Sequence, residues 1–340
     1  LIGVCLFFTI ASPFFLKPSN LLNIMQNTVV VGIVAAPLTL LLVARQVDLS
    51  VGSAVAFAAT TLAVVAEAGY GMAAAVIAAM AATMLVAIDN AIVITKFRVN
   101  SIIATLGTLV AFRGLAKLEG SGRNIRVDDF DLLGRARIDI MGLQVPLAVL
   151  ILLAVLAGFW LLMSQTRYGR HMYGMGANPK AALLAGKPLG VPDTAIYGAL
   201  FVGSVLLFPD GIAGAANRLA GIRLERNVFI GFLLTGLVVG LASLIAVSEI
   251  GAVAPTTGQG LELLAITGII LGGASLSGGR GTIPGIIVAI LILAVLDNGL
   301  TLMRVTSFWQ EVVRGTILIA AVALDQARLA RGKADVRFEL

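Results

Sequence analysis

The sequence predicts an all-α fold: a polytopic membrane helical bundle of about ten transmembrane helices, with both termini in the cytoplasm. Three observations predict it. Of 340 residues, 59% are hydrophobic and only 12% charged, with mean hydropathy +1.01. A soluble domain carries roughly 25% charged residues, so the few here cannot cover a 35.1 kDa chain. The apolar residues also gather into ten runs, and the Lys and Arg residues fall between runs in an order that fits alternate crossings.

A helix crosses a hydrocarbon core of about 30 Å with roughly 17–25 apolar residues. The runs are 1–16, 28–44, 51–66, 72–94, 101–118, 145–163, 228–247, 263–276, 284–296 and 312–324. Leu1–Leu16 reads as a truncated first span, not a leader. No basic stretch precedes it, and Lys17-Pro18-Ser19-Asn20 is not a small-residue cleavage site. The second and third runs are separated only by Arg45-Gln46-Val47-Asp48-Leu49-Ser50. The fourth opens on the alanine-rich stretch Met72–Ala82. That stretch and the 38 glycines suit close helix contact in lipid, where small residues replace the hydrophobic drive of soluble cores. Several runs are shorter than a full crossing, which implies ends embedded in protein or broken helices. Ala195–Phe208 is an apolar run only about 14 residues long and reads as non-spanning.

Charge orders the ends. Arg328, Arg331, Lys333 and Arg337 place the C-terminal tail inside, because cytoplasmic segments collect Lys and Arg. Counting back puts Trp309-Gln310-Glu311 outside, Arg280 inside, Glu249–Glu262 outside, and Ser164–Arg226 inside. Lys96, Arg98 and Arg45 also fall inside, and the mixed-charge loop Glu119–Asp139 outside. A crossing by Ala195–Phe208 would move Arg218, Arg223 and Arg226 outside. The net charge of +6 therefore reads as topology, and no basic stripe has the interleaved aromatics of a nucleic-acid surface.

Composition also excludes chemistry. Cys5 is the only cysteine and His171 the only histidine, so neither an intrachain disulfide nor a Cys/His metal site is expected. No catalytic residue set emerges. Asp128, Asp129 and Asp131 read as a solvated loop cluster. The glycine-rich stretch Gly272–Gly285 contains no G-x-x-x-x-G-K-[ST] pattern. The nearest fragment, Gly186-Lys187, is followed by Pro188, so the chain carries no nucleotide site of its own. Gly272–Gly285 reads instead as a tight turn between packed helices, with Pro284 opening the second.

Four polar residues are candidates for helix breaks or a translocation path: Asp48, Ser50, Asn90 and Asn298. Asp48 or Ser50 can cap the next helix, or mark a broken helix whose polar backbone faces a cavity. Asp89-Asn90 is a membrane-embedded polar pair, with an interfacial salt bridge from Asp89 to Lys96 or Arg98 as the plainer reading. Asp297-Asn298-Gly299 reads as a helix end with a glycine stop.

Asp48-Leu49-Ser50-Val51-Gly52-Ser53, Thr105-Leu106-Gly107-Thr108 with Arg113-Gly114, and Thr166-Arg167-Tyr168-Gly169-Arg170 followed by Gly176-Ala177-Asn178 and Ala181-Ala182 share a resemblance. So do Gly272-Gly273, Ser277-Gly278-Gly279 with Gly281, Asn298-Gly299-Leu300, Phe308-Trp309-Gln310, Gly315 and Asp325. In this order they resemble the permeases of ribose/xylose-type sugar ABC importers, in the branched-chain amino acid/sugar permease superfamily. The resemblance implies a single transmembrane permease domain over 1–340, in a bacterial inner membrane, moving a monosaccharide by alternating access. It implies a second permease copy (homodimer or heterodimer), cytoplasmic ABC ATPases that hold ATP and Mg, and an extracytoplasmic sugar-binding protein. No cofactor is expected in this chain. Gly174, Gly176, Asn178, Ala181, Ala182 and Gly186 carry over as ATPase-coupling positions, in a cytoplasmic coupling region at 164–226.

This chain departs from the family after Gly186. Lys187-Pro188 follows, and a second A-G-containing stretch, Asn217–Arg226, leads into the next span. The segment 187–214 reads as an insertion, and either copy can be the one that docks the ATPase. Other cargoes in the same superfamily, branched-chain amino acids or a signalling furanone, stay open. A secondary transporter would need ion-coordinating charges at mid-membrane and inverted repeats, which the sequence does not clearly show.

Overall fold

The structure is a computed structural model and describes residues 1–178 and 224–338. The elements are α1 (Ile2–Ala11), α2 (Pro18–Val43), α3 (Val51–Glu67), α4 (Met72–Thr95), α5 (Ser101–Glu119), β1 (Ile125–Arg126), β2 (Arg137–Ile140), β3 (Leu143–Pro146), α6 (Leu147–Gln165), α7 (Arg167–Ala177), α8 (Leu224–Ile250), β4 (Ala252–Val253), α9 (Leu261–Leu271), α10 (Ile283–Leu302) and α11 (Ser307–Phe338). Each of the ten apolar runs holds a helix. Among the described residues, seven helices are long and apolar enough to cross a membrane: α2, α4, α5, α6, α8, α10 and the Ser307–Gln326 part of α11. The other three, α1, α3 and α9, are apolar but shorter.

α2 is the central post. It packs against α6, α8, α9 and α10, and Ile33 through Ala36 are fully buried on it. It begins at Pro18, well before the expected start at 28, because its polar first turns have partners. Pro18 lacks the N–H that a first helical position leaves unbonded. The Asn20 amide donates to the Phe15 carbonyl at 2.9 Å and pairs with Asn298.

The small residues do what lipid requires of them. Ala58, Ala59 and Ala63 of α3 and Ala75 and Ala79 of α4 are fully buried in one cluster. A β-carbon added to Gly240 on α8 would lie 2.7 Å from Met80 Sδ of α4. On α10, Gly299 does not stop the helix, which runs on to Leu302. Its missing side chain makes room for the Phe8 ring of α1, which a β-carbon there would strike.

Hydrogen bonds and ion pairs sort the loops into two ends. At one end lie Arg45, α7, the 272–282 turn, and Arg98 beside Glu225 at 3.9 Å. At the other, β1 pairs antiparallel with β4 (Ile125 opposite Val253). There Arg123 pairs with Glu67, Arg135 with Asp131, and Arg314 with Asp297. Arg45, Arg98, the α7 residues Arg167 and Arg170, and Arg280 of the turn all lie at the first end. Asp89 makes no ion pair among the described residues; Arg98 meets Glu225 instead. Ala195–Phe208 and the insertion 187–214 lie outside the described residues.

Candidate functional site

Three of the four polar candidates come together. Between α2 and α3 the chain leaves the helical conformation, and Arg45 takes φ +61°. Segment 46–50 then runs beside α5. The Val47 N–H donates to Ser101 Oγ at 3.2 Å, and Thr105 Oγ1 reaches the Val47 carbonyl at 3.3 Å. Asp48 Oδ1 accepts from the Ser50 N–H (2.9 Å) and from Ser50 Oγ (2.6 Å). Asn90 of α4 donates to Ser50 Oγ at 2.8 Å, and Thr108 of α5 donates to Asn90 Oδ1 at 2.8 Å. Asp48 is 4% exposed and Asn90 0%. This chain of bonds ties the start of α3 to α4 and α5 and satisfies polar groups that lipid could not. Ser50 precedes α3 as its N-cap residue, but its side chain caps no helix N–H; it is engaged by Asp48 and Asn90.

Asn298 is elsewhere. At the opposite end it exchanges two amide hydrogen bonds with Asn20, both 2.9 Å, and lines a cavity of about 340 Å³. Next to it, Arg314 Nε donates to both Asp297 oxygens at 2.9 and 3.1 Å, joining α10 to α11.

The coupling candidates Gly174, Gly176 and Asn178 lie on or beside α7; Ala181, Ala182 and Gly186 lie outside the described residues. The Thr166 side chain caps α7, accepting from the Gly169 N–H at 3.1 Å. The small face of α7 is used within the chain. A β-carbon on Gly176 would strike the Val43 carbonyl and lie 2.6 Å from the Gly279 N–H nitrogen. Gly279 itself, at φ +73°, donates to that Val43 carbonyl at 2.8 Å. Arg45 Nε donates to the Gly176 carbonyl at 2.6 Å and Nη2 to Ala177 at 3.3 Å, a cation at a helix C-terminus. Tyr173 donates to the Gly281 carbonyl and Tyr168 to Asn227 at 2.8 Å. Burial pushes both phenols above their ordinary range, which keeps them as donors. Arg167, Arg170, Ala177 and Asn178 remain on the exposed side. The 272–282 turn is thus a tight turn between helices, as its glycines imply, and it also receives α7.

Toward the other end, α2, α3, α8, α9, α11 and the loop before α9 line an open-sided cavity of about 1020 Å³. Its polar lining includes Gln26, Asn27, Thr257, Gln259, Glu311 and Arg314. Asp48, Ser50 and Asn90 line neither this cavity nor the smaller one. Below it, Arg113 of α5 donates to the Thr257 carbonyl at 2.7 Å and the Gly258 carbonyl at 3.3 Å. Gly258, at φ +69°, sits against Gly52, and Glu262 reaches the same glycine with its Oε2 buried and unbonded. The polar and charged residues here stood out poorly in sequence, because they lie in runs and loops far apart in the chain. Arg113 was visible only as part of a motif.

The family described as "branched-chain amino acid transport system / permease component" matches residues 20–205 and 213–322. The chain is 32% identical over 329 residues to the ribose import permease protein RbsC of Bacillus subtilis (strain 168), covering 95% of this chain and 89% of that one. It is 31% identical to the L-arabinose ABC transporter permease protein AraH of Azospirillum brasilense, covering 93% and 82%. It is 30% identical to the autoinducer 2 import system permease protein LsrC of Yersinia pestis (strain Pestoides F), covering 89% and 76%. No solved structure matches the chain.

Proposed function

This chain belongs to the branched-chain amino acid transport system / permease component family, and we propose that it is the membrane permease subunit of an ATP-driven ABC importer for a monosaccharide of the ribose class. The observation that carries this reading is the 32% identity to a ribose import permease across 95% of the chain. The arabinose permease at similar coverage supports a sugar cargo.

In this reading α1–α6 and α8–α11 make ten crossings or partial crossings, with both termini in the cytoplasm of a bacterial cell and the Arg45 end facing it. The positive-inside bias supports this orientation. Two copies pair in the inner membrane. Partner ATPase subunits hold ATP and Mg, and a binding protein delivers sugar from the opposite side. The exposed side of α7 seats in the ATPase together with the later coupling positions Ala181, Ala182 and Gly186, and the insertion 187–214 belongs to the same coupling region. What supports this is the division of α7: its glycine face is tied to Val43, Arg45 and Gly279, while Arg167 and Arg170 stay exposed. A partner gripping α7 pulls on the α2–α3 junction. It shifts the transporter between outward- and inward-facing states by binding one of them more tightly.

The test is co-purification. Tagged chain, expressed with an ABC ATPase and a sugar-binding protein from the same organism, retains the ATPase through detergent extraction. Recovery of the chain without the ATPase from membranes containing both contradicts the reading.

A further inference from the structure

We infer that the cavity of about 1020 Å³ between α2, α8, α9 and α11 is this protomer's share of the solute path, and that it takes a neutral polyhydroxylated solute at the level of Asn27 and Gln259; the identity of the solute rests on the import function proposed above.

Backbone that is not helical is tolerated at membrane depth only where protein buries it or where it lines a water-filled space. Two such segments occur beside α5. The first, 46–50, is dry. Its polar groups are bonded to Ser101, Thr105 and Asn90, and Asp48 and Ser50 are 4% and 1% exposed. The second is 254–260. Arg113 holds Thr257 and Gly258 about 9 Å below the outer end of α5, at 1.5 Å per residue. Its residues Thr256 to Gly260 line the cavity, and Gln259 is exposed. The second segment is therefore the wet one.

The lining matches hydroxyl chemistry. Gln26, Asn27 and Gln259 offer amide donors and acceptors, and Thr257 adds a hydroxyl. Glu249, Glu311 and Arg314 also line it, with Arg314 held by Asp297, so the carboxylates disfavour an anion and can accept from solute hydroxyls. A sugar hydroxyl both donates and accepts, so this mixture serves it, and apolar Val30, Leu261 and Leu264 suit its C–H faces. The cavity ends at Gly258, packed on Gly52 at the start of α3. The path in this state is open above that contact and closed at it.

Cys5 is the only native cysteine, so a Cys5→Ser background allows single reporters. Gln259→Cys, Asn27→Cys, Ser50→Cys and Met141→Cys are placed in the full chain with its partners in native membranes and treated with a membrane-impermeant maleimide from outside. Expected labelling is strong at Gln259→Cys, Asn27→Cys and the exposed loop control Met141→Cys, and at least tenfold slower at Ser50→Cys. Modification then lowers uptake of radiolabelled D-ribose at least tenfold in Gln259→Cys, relative to the same variant unmodified, and leaves Met141→Cys unchanged. Unreactive Gln259→Cys beside reactive Met141→Cys overturns the inference, and so does labelling of Gln259→Cys without loss of uptake. If no unmodified protein carries ribose, the sugar assignment fails while the labelling pattern still decides whether the cavity is open to the outside.

Discussion

Gly52 and Gly258 meet main chain to main chain. A β-carbon on Gly52 would lie 2.5 Å from the Gly258 carbonyl oxygen, and one on Gly258 would lie 2.6 Å from that of Gly52. The contact joins the start of α3 to the loop before α9, two short helices that begin inside the bundle. It forms the floor of the cavity of about 1020 Å³.

Gly52→Ala forces this contact apart and also pushes on Glu262. Overpacking of this kind costs about 1–3 kcal/mol. Thermal unfolding in detergent should show the loss. Gly107→Ala is the control: nothing lies within 4 Å of its added carbon, and alanine in a helix is favoured over glycine by roughly 0.5–1 kcal/mol, so this variant should be as stable or slightly more so.

Arg45→Ala removes the cation from the last carbonyls of α7. Sugar uptake per ATP hydrolysed should fall about tenfold, equivalent to ~1.4 kcal/mol of coupling, while ATPase binding persists. Arg45→Lys should recover part of the loss, because one ammonium can reach one carbonyl but does not reproduce the guanidinium fork. Equal loss of ATPase binding and uptake would instead mean that Arg45 only holds the fold.

Asn90→Ala leaves Ser50 Oγ without its donor and takes one acceptor from the buried Thr108 hydroxyl. An unsatisfied buried group costs about 1–3 kcal/mol. Thr108→Val should cost less, because the Thr108 hydroxyl can also bond within its own helix, at the Ala104 and Thr105 carbonyls, and its removal leaves only the Asn90 carbonyl oxygen short of a donor. Stability of the purified protein against heat ranks the two.

Asn20→Ala and Asn298→Ala each break both bonds of a reciprocal amide pair. Each should destabilise by roughly 1 kcal/mol. The double variant should lose little more than either single one, because residues that share a bond are not additive. Full additivity in a double-mutant cycle contradicts the pairing.

The bundle was legible in the sequence because lipid imposes a length and a polarity that apolar runs display directly. Helix ends were less so. Asn20, Gln26 and Asn27 look like loop, yet they open α2, since Asn20 bonds to Asn298 and the other two face the cavity. Asn298-Gly299 looks like a stop, yet Gly299 is small for the sake of Phe8. Asp48, Ser50 and Asn90 stood out as polar residues in apolar surroundings, and they do meet, but in a dry network. The contacts of Arg45 with α7 and of Gly52 with Gly258 depend on distant segments folding together, and no local pattern announces them.

On the proposed function, this chain moves sugar only when partner ATPases drive it. Proteoliposomes carrying the chain, its ATPase and its binding protein should accumulate radiolabelled ribose with ATP, and should stop when ATP is replaced by a non-hydrolysable analogue. Uptake that continues in liposomes holding this chain alone, without ATPase or ATP, would contradict the account.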